Sequence, residues 1–172
     1  MTRTERRQKS LATISDAALA EFGERGYASA AVDGVCARGG ISKGLMYHYY
    51  TGKDELFCEC VRAMFTALAA RLDEYLAGAN AGSAGELLSG FFMTRERFFA
   101  ENHNMRAVFE DAMLRTPPQL AEEISRLRAP VKECNLRLLS SLLKLVRLRE
   151  GVSEHDAMLW FDAAEGLLPE LI

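Results

Sequence analysis

Residues 39–56, GGISKGLMYHYYTGKDEL, concentrate side chains that bind anions. Lys43 and Lys53 carry positive charge, Ser42, Tyr47, Tyr49 and Tyr50 offer hydroxyls, and His48 offers a ring N–H. Glycine beside lysine is the chemistry of phosphate binding, and spacing discriminates between kinds of phosphate. A Walker loop needs two glycines four residues apart, then Lys and Ser or Thr. Gly39 and Gly44 have that separation, but Leu45 and Met46 follow. A dinucleotide loop needs Gly-x-Gly-x-x-Gly after a buried strand. Here Gly39 and Gly40 are adjacent, and VDGVCAR before them is no strand. Catalysis fares no better, because Ser42 and His48 are six residues apart on a short helix and do not face each other. Two readings remain for this stretch: contact with a nucleic-acid backbone, or aromatic packing in a helical core.

The elements that position these residues are helical throughout. Residues 4–25 are amphipathic, with Leu11, Ile14, Ala18 and Phe22 at spacings of three and four. Gly26 stops that helix as a C-terminal glycine does. A short helix over 31–38 buries Val32, Val35 and Cys36, although Gly34 within it costs about 1 kcal/mol relative to alanine. Gly39-Gly40 makes a turn, and Ser42 caps a third helix through its hydroxyl. Thr51 caps a fourth, with Asp54 and Glu55 in its first turn, running to about Leu76. Further helices are expected over 84–101 and 104–115. Another begins at Thr116-Pro117, bends at Pro130 and continues to Gly151, and Ser153 caps the last. The predicted fold class is all-α.

Composition bounds the function. The 172 residues are 49% hydrophobic and 26% charged with a net charge of −3, the profile of a globular protein. No apolar run approaches the roughly 20 residues of a membrane helix, and no signal peptide is evident, so a cytoplasmic protein without membrane contact is expected. Cys36, Cys58, Cys60 and Cys134 form no CxxC pair and have no histidine at zinc-finger spacing. No acid–base pair stands out. Neither an enzyme nor a cofactor is expected. Charge is unevenly placed, however: Arg3, Arg6, Arg7 and Lys9 face Glu5 alone in the first nine residues.

Two helices joined by a glycine-containing turn make a helix-turn-helix, whose second helix enters a major groove. On the wheel of residues 43–50, Lys43, Gly44, Tyr47 and His48 share one side, while Leu45, Met46 and Tyr49 lie opposite. Lys offers charge, Gly permits close approach, and Tyr and His donate to phosphate. The stretch from Ile14 to Leu56 then carries a longer pattern: Ala17-Ala18, Phe22, Gly26-Tyr27, Val32, Val35, Gly40-Ile41-Ser42-Lys43-Gly44, Tyr47, Tyr49-Tyr50 and Lys53-Asp54-Glu55-Leu56. That pattern closely resembles the DNA-binding region of the tetracycline-repressor family of bacterial regulators. The resemblance covers roughly residues 5–57. It implies a three-helix reader over 1–52, with a basic arm over 1–9, that binds double-stranded DNA through Ser42, Lys43, Gly44, Tyr47, His48, Lys53, Arg3, Arg6 and Arg7. This chain departs from the pattern at Ala30 and Ala31, where the family usually carries capping hydroxyls, so either Ser29 substitutes or that contact is absent. Asp33 would repel a nearby phosphate, and Gly34 loosens the same helix; both lower the expected DNA affinity.

The resemblance implies that residues 53–172 form a helical domain that binds a small-molecule effector and makes a homodimer through its last helices. Leu136, Leu138, Leu139, Leu142, Leu143, Leu145, Val146 and Leu148 cover more than half of one helix, which asks for cover on two sides. Phe91, Phe98, Phe99, Met105, Phe109, Met113 and Trp160 are the expected apolar lining of an effector pocket, with His103, Arg106 and Glu110 as polar anchors. A dimeric, ligand-responsive repressor on a palindromic operator is the expected function. The alternative is a helical small-molecule-binding or interaction protein whose DNA binding is weakened or lost.

Overall fold

The computed structural model describes residues 2–167. All of its regular elements are helices: α1 (Arg3–Ser29), α2 (Val32–Gly39), α3 (Lys43–Tyr49), α4 (Lys53–Gly78), α5 (Ala84–Glu101), α6 (His103–Met113), a 3₁₀ turn (Pro118–Leu120), α7 (Ala121–Leu127), α8 (Ala129–Leu143) and α9 (Glu154–Leu167). The all-α expectation holds. Among the described residues, no helix is long and apolar enough to cross a membrane.

The chain divides into two compact units. The first comprises Met1–Met64 and Phe99–Leu127. Its core is built from the apolar stripe of α1 (Ile14, Ala18 and Phe22), from Val35 and Met46, and from Leu56, Phe57 and Val61 of α4, all at most 1% exposed. Phe22 and Phe57 meet edge to face at 5.1 Å, and the Tyr27 ring packs 4.8 Å from Phe57. α6 lies along α1 so closely that a Cβ on Gly23 would fall 2.5 Å from the Asn104 Cβ. The second unit, Phe65–Phe98 and Arg128–Ile172, buries Phe65, Leu68, Leu72, Leu87 and Phe91 with Val131, Cys134 and Leu138. Within it the Tyr75 hydroxyl donates to the Leu87 carbonyl (3.1 Å).

Local expectations meet three corrections. Gly26 does interrupt α1, at φ 69°, ψ 163°, but one further turn follows it and is held by the Ala30 N–H on the Gly26 carbonyl (3.0 Å). The amide this kink frees, on Tyr27, donates to the buried carboxylate of Asp111 on α6 (2.6 Å), and Arg115 pairs with the other carboxylate oxygen (2.7 Å). Second, Thr51 does not cap α4. Its N–H and hydroxyl both donate to the Glu55 carboxylate (2.6 and 2.8 Å), and Gly52 supplies the first accepting carbonyl.

Third, the helix expected from Thr116 to Gly151 is three pieces. Pro118, not Pro117, opens the 3₁₀ turn; Pro130 sits in the first turn of α8, where its missing N–H breaks no bond; and α8 ends at Leu143. The apolar period continues through Leu145 and Val146, but these stand 42% and 45% exposed. Helical stability comes mainly from burying a face, so the period alone does not extend α8 past its packed residues. Ser153 caps α9 as expected, its hydroxyl accepting from the Asp156 N–H (3.1 Å) while the Asp156 carboxylate accepts from the Ser153 N–H (2.9 Å). Pro169, expected at the end of that helix, lies outside the described residues.

Candidate nucleic-acid interface

The turn between α2 and α3 is set by backbone geometry. Gly40 adopts the left-handed conformation (φ 59°, ψ 33°) that an L side chain disfavours, and the Ile41 N–H donates to the Cys36 carbonyl (3.0 Å), closing α2. Ser42 then starts α3, its hydroxyl accepting from the Leu45 N–H (3.1 Å). Met46, wholly buried, pins α3 to the core. The faces expected from the wheel follow: Lys43, Gly44, Tyr47 and His48 are exposed, while Leu45 and Tyr49 are half-buried. Tyr47 is 55% exposed, a large aromatic held out to solvent.

The remaining cations fall into two places. Arg3, Arg6 and Arg7, from the expected basic arm, lie in the first turns of α1. Thr2 caps them in a reciprocal box with Glu5 (3.2 and 2.8 Å). They share a cleft of about 390 Å³ with Ser10 and with Leu45, His48 and Tyr49 of α3. The structure thus brings the arginines to the side of His48. Lys53 lies elsewhere: its ammonium donates to the Ala28 carbonyl (3.2 Å) and sits 4.5 Å above the Tyr27 ring. That ring is fixed by its hydroxyl, which donates to Asp54 (2.5 Å) and accepts from Gln119 (2.8 Å). Burial first, and then the Asp54 bond, push the Tyr27 phenol up to about 12.

Two features escaped the sequence reading. The N-cap of α2 is Ala31, and neither it nor Ser29 supplies a side-chain cap. Instead Glu21 of α1, 1% exposed, reaches the start of α2 and accepts from the Ala31 N–H (3.4 Å). In a capping box that bond comes from a glutamate at the third helical position. Here the third position is Gly34, and a Cβ there would overlap the Glu21 carboxylate. Arg38 holds the other oxygen of Glu21 (2.7 Å) and clamps Glu24 (2.9 Å), which keeps the Glu24 carboxyl below its usual range. A signal was available, since Glu21 interrupts the apolar stripe between Ala18 and Phe22. The second feature is the ion pair between Lys43 and Asp33, with Nζ 2.7 Å from Oδ1. Asp33 was expected to repel phosphate; it also holds the Lys43 ammonium protonated beyond its ordinary range.

Residues 14–60 match the model of the bacterial regulatory proteins of the tetR family. The N-terminal region belongs to the tetR family. Its match spans α1 from Ile14 through the start of α4, and so contains the whole α2–turn–α3 unit. The chain is 27% identical over 106 residues to the HTH-type transcriptional repressor KstR2 of Mycobacterium tuberculosis; the alignment takes in 62% of this chain and 52% of KstR2. The chain thus spans about half the length of the curated relatives it matches. Among solved structures, a putative transcriptional regulator from Pseudomonas aeruginosa PAO1 is 28% identical with a TM-score of 0.64, over 98% of this chain and 79% of that one. FadR from Bacillus subtilis, solved in complex with stearoyl-CoA, shares the fold at a TM-score of 0.66 and 18% identity, over 93% and 86%.

The residues expected to line an effector pocket are dispersed in character. Phe91, Phe98 and Phe99 are buried; Met105, Phe109 and Met113 are half-buried; Trp160 is 64% exposed. Phe99 and Phe109 face each other at 4.9 Å, with the Arg106 guanidinium 5.7 Å from the Phe99 ring. Glu110 pairs with Arg115 (3.6 Å). His103 lines a cavity of about 360 Å³ with Leu19, Glu101, Asn102, Asn104 and Met105, inside the first unit.

Proposed function

We propose that this protein is a DNA-binding transcriptional regulator that acts as a dimeric, ligand-responsive repressor on a palindromic operator. The observation that carries the reading is α3 itself: a seven-residue helix, capped by Ser42 and anchored by Met46, that holds Lys43, Gly44, Tyr47 and His48 toward solvent beside an arginine-bearing α1. In this reading residues 1–52 are the reader. Tyr47, His48, Ser42 and Lys53 meet phosphate, Gly44 lets the backbone approach, and Arg3, Arg6 and Arg7 add charge from the side of α1. Residues 53–172 bind the effector and pair the subunits. The dimer is supported by Leu145, Val146, Leu159 and Trp160, each between 42% and 64% exposed, which a second copy would cover. An apolar effector is supported by the phenylalanine-rich α5 and by FadR, of the same fold, which was solved with stearoyl-CoA. Effector and DNA would oppose each other equally, as linkage requires.

The Asp33–Lys43 ion pair favours one rival, a helical ligand-binding or interaction protein with weakened DNA binding. Footprinting on fragments flanking the protein's own gene decides between them, together with sedimentation. The regulator gives an inverted-repeat footprint from a dimer, which stearoyl-CoA or another effector releases. Absence of any protected fragment supports the rival, and a monomer on one unrepeated half-site removes the dimer.

A further inference from the structure

Asp33 and Lys43 open the two helices of the reader, Asp33 in the first turn of α2 and Lys43 at the first position of α3. Nζ lies 2.7 Å from Oδ1 and 2.9 Å from Oδ2, and the side chains are 69% and 61% exposed. A pair this exposed contributes little to stability. It also withdraws from phosphate the one cation that stands at the N-terminus of α3, where a helix-turn-helix meets base edges. A lone carboxylate there would be repelled by the flanking phosphates unless it met a base-edge donor, and cytosine N4 is such a donor.

We infer that Asp33 and Lys43 read one G·C pair as a unit, Lys43 donating to the guanine edge while Asp33 accepts from N4 of the paired cytosine. Guanine O6 and cytosine N4 are hydrogen-bonded to each other, so they are separated by about 2.9 Å, the same spacing as the ammonium and carboxylate that would face them. The ion pair can therefore stay closed on the base pair. Being net neutral, it adds almost nothing to sequence-independent attraction, which scales with the phosphates neutralised. Asp33 thus sets specificity at the expense of bulk affinity. This inference rests on the reading of α3 as a groove-inserting helix.

The test uses the full chain as wild type, Asp33→Asn, Lys43→Ala and the double variant. Each protein selects from a random-sequence duplex pool, and each is titrated against one fixed non-cognate duplex at several salt concentrations. The wild type should enrich an inverted repeat with one strict G·C pair per half-site. Asp33→Asn should relax that pair, bind the non-cognate duplex about 3- to 10-fold more tightly at low salt, and steepen the salt slope by about one. The double variant should discriminate no worse than Lys43→Ala. Unchanged base preference and slope in Asp33→Asn would overturn the inference while leaving the DNA-reading function intact, as would additive losses in the double variant. A wild type that enriches no sequence removes both.

Discussion

Replacing Gly34 by alanine sets helix propensity against packing, with opposite signs. Propensity alone makes Gly34→Ala stabilising by about 1 kcal/mol, because alanine loses less backbone entropy in a helix. The structure reverses this. A Cβ at position 34 would stand 2.7 Å from Glu21 Oε2, and closer still to Oε1 and Cδ, where ordinary contact begins at 3.4 Å. A carboxylate is the far end of a flexible side chain and would normally step aside. This one is 1% exposed and is held by the Ala31 N–H and by Arg38, so moving it breaks bonds that no solvent replaces. Displacing a buried, bonded carboxylate costs about 2–4 kcal/mol. Net of the propensity gain, Gly34→Ala should destabilise by about 1–3 kcal/mol. Urea unfolding of the full chain followed by far-UV circular dichroism measures it. Glu21→Ala with Gly34→Ala should show a coupling of at least about 1 kcal/mol, since the alanine no longer meets a carboxylate. A Gly34→Ala protein that is more stable than wild type by about 1 kcal/mol would refute the argument.

Other outcomes follow from the same geometry. Tyr47→Phe should weaken DNA binding by about 0.5–1.5 kcal/mol, equally across a panel of single-base operator variants, because a phosphate contact carries no sequence information; a loss confined to one base position would make Tyr47 a base reader. Alanine at Arg3, Arg6 and Arg7 keeps the first turns of α1 helical and should flatten the salt slope by about 0.9 for each arginine that neutralises a phosphate, and an unchanged slope takes these arginines out of the interface. Cys36, Cys58, Cys60 and Cys134 are all buried, and burial pushes the Cys60 thiol up to about 12 and Cys134 to about 11. A colorimetric disulfide reagent at neutral pH should therefore modify none of them in the native protein and all of them in denaturant, whereas fast native modification of any one contradicts its burial.

The sequence by itself determined the helical class and the reader's local geometry. Periodicity of three and four placed Ile14, Ala18 and Phe22 inside; Gly40 and Ser42 bounded α3; and a helical wheel put Lys43, Gly44, Tyr47 and His48 outside and Met46 in. These are short-range facts, governed by backbone conformation and by which face of one helix is apolar, and both are written within a few residues of each other. Tertiary structure decided what the unusual residues do. Ala31 and Gly34 read as a missing cap and a loosened helix; three-dimensional proximity turns them into a seat for Glu21, ten and thirteen positions earlier in the chain. The same holds for Asp33, whose charge is plain in the sequence but whose partner, Lys43, is fixed only by the crossing of α2 and α3. It holds again for the end of α8. Leucine period alone would have carried that helix to Gly151, yet a helix persists only as far as its face is well covered, and Leu145 and Val146 stand 42% and 45% exposed. A contact between distant residues has no period to announce it, so propensity and pattern could place the helices of the reader but not the carboxylates that shape it.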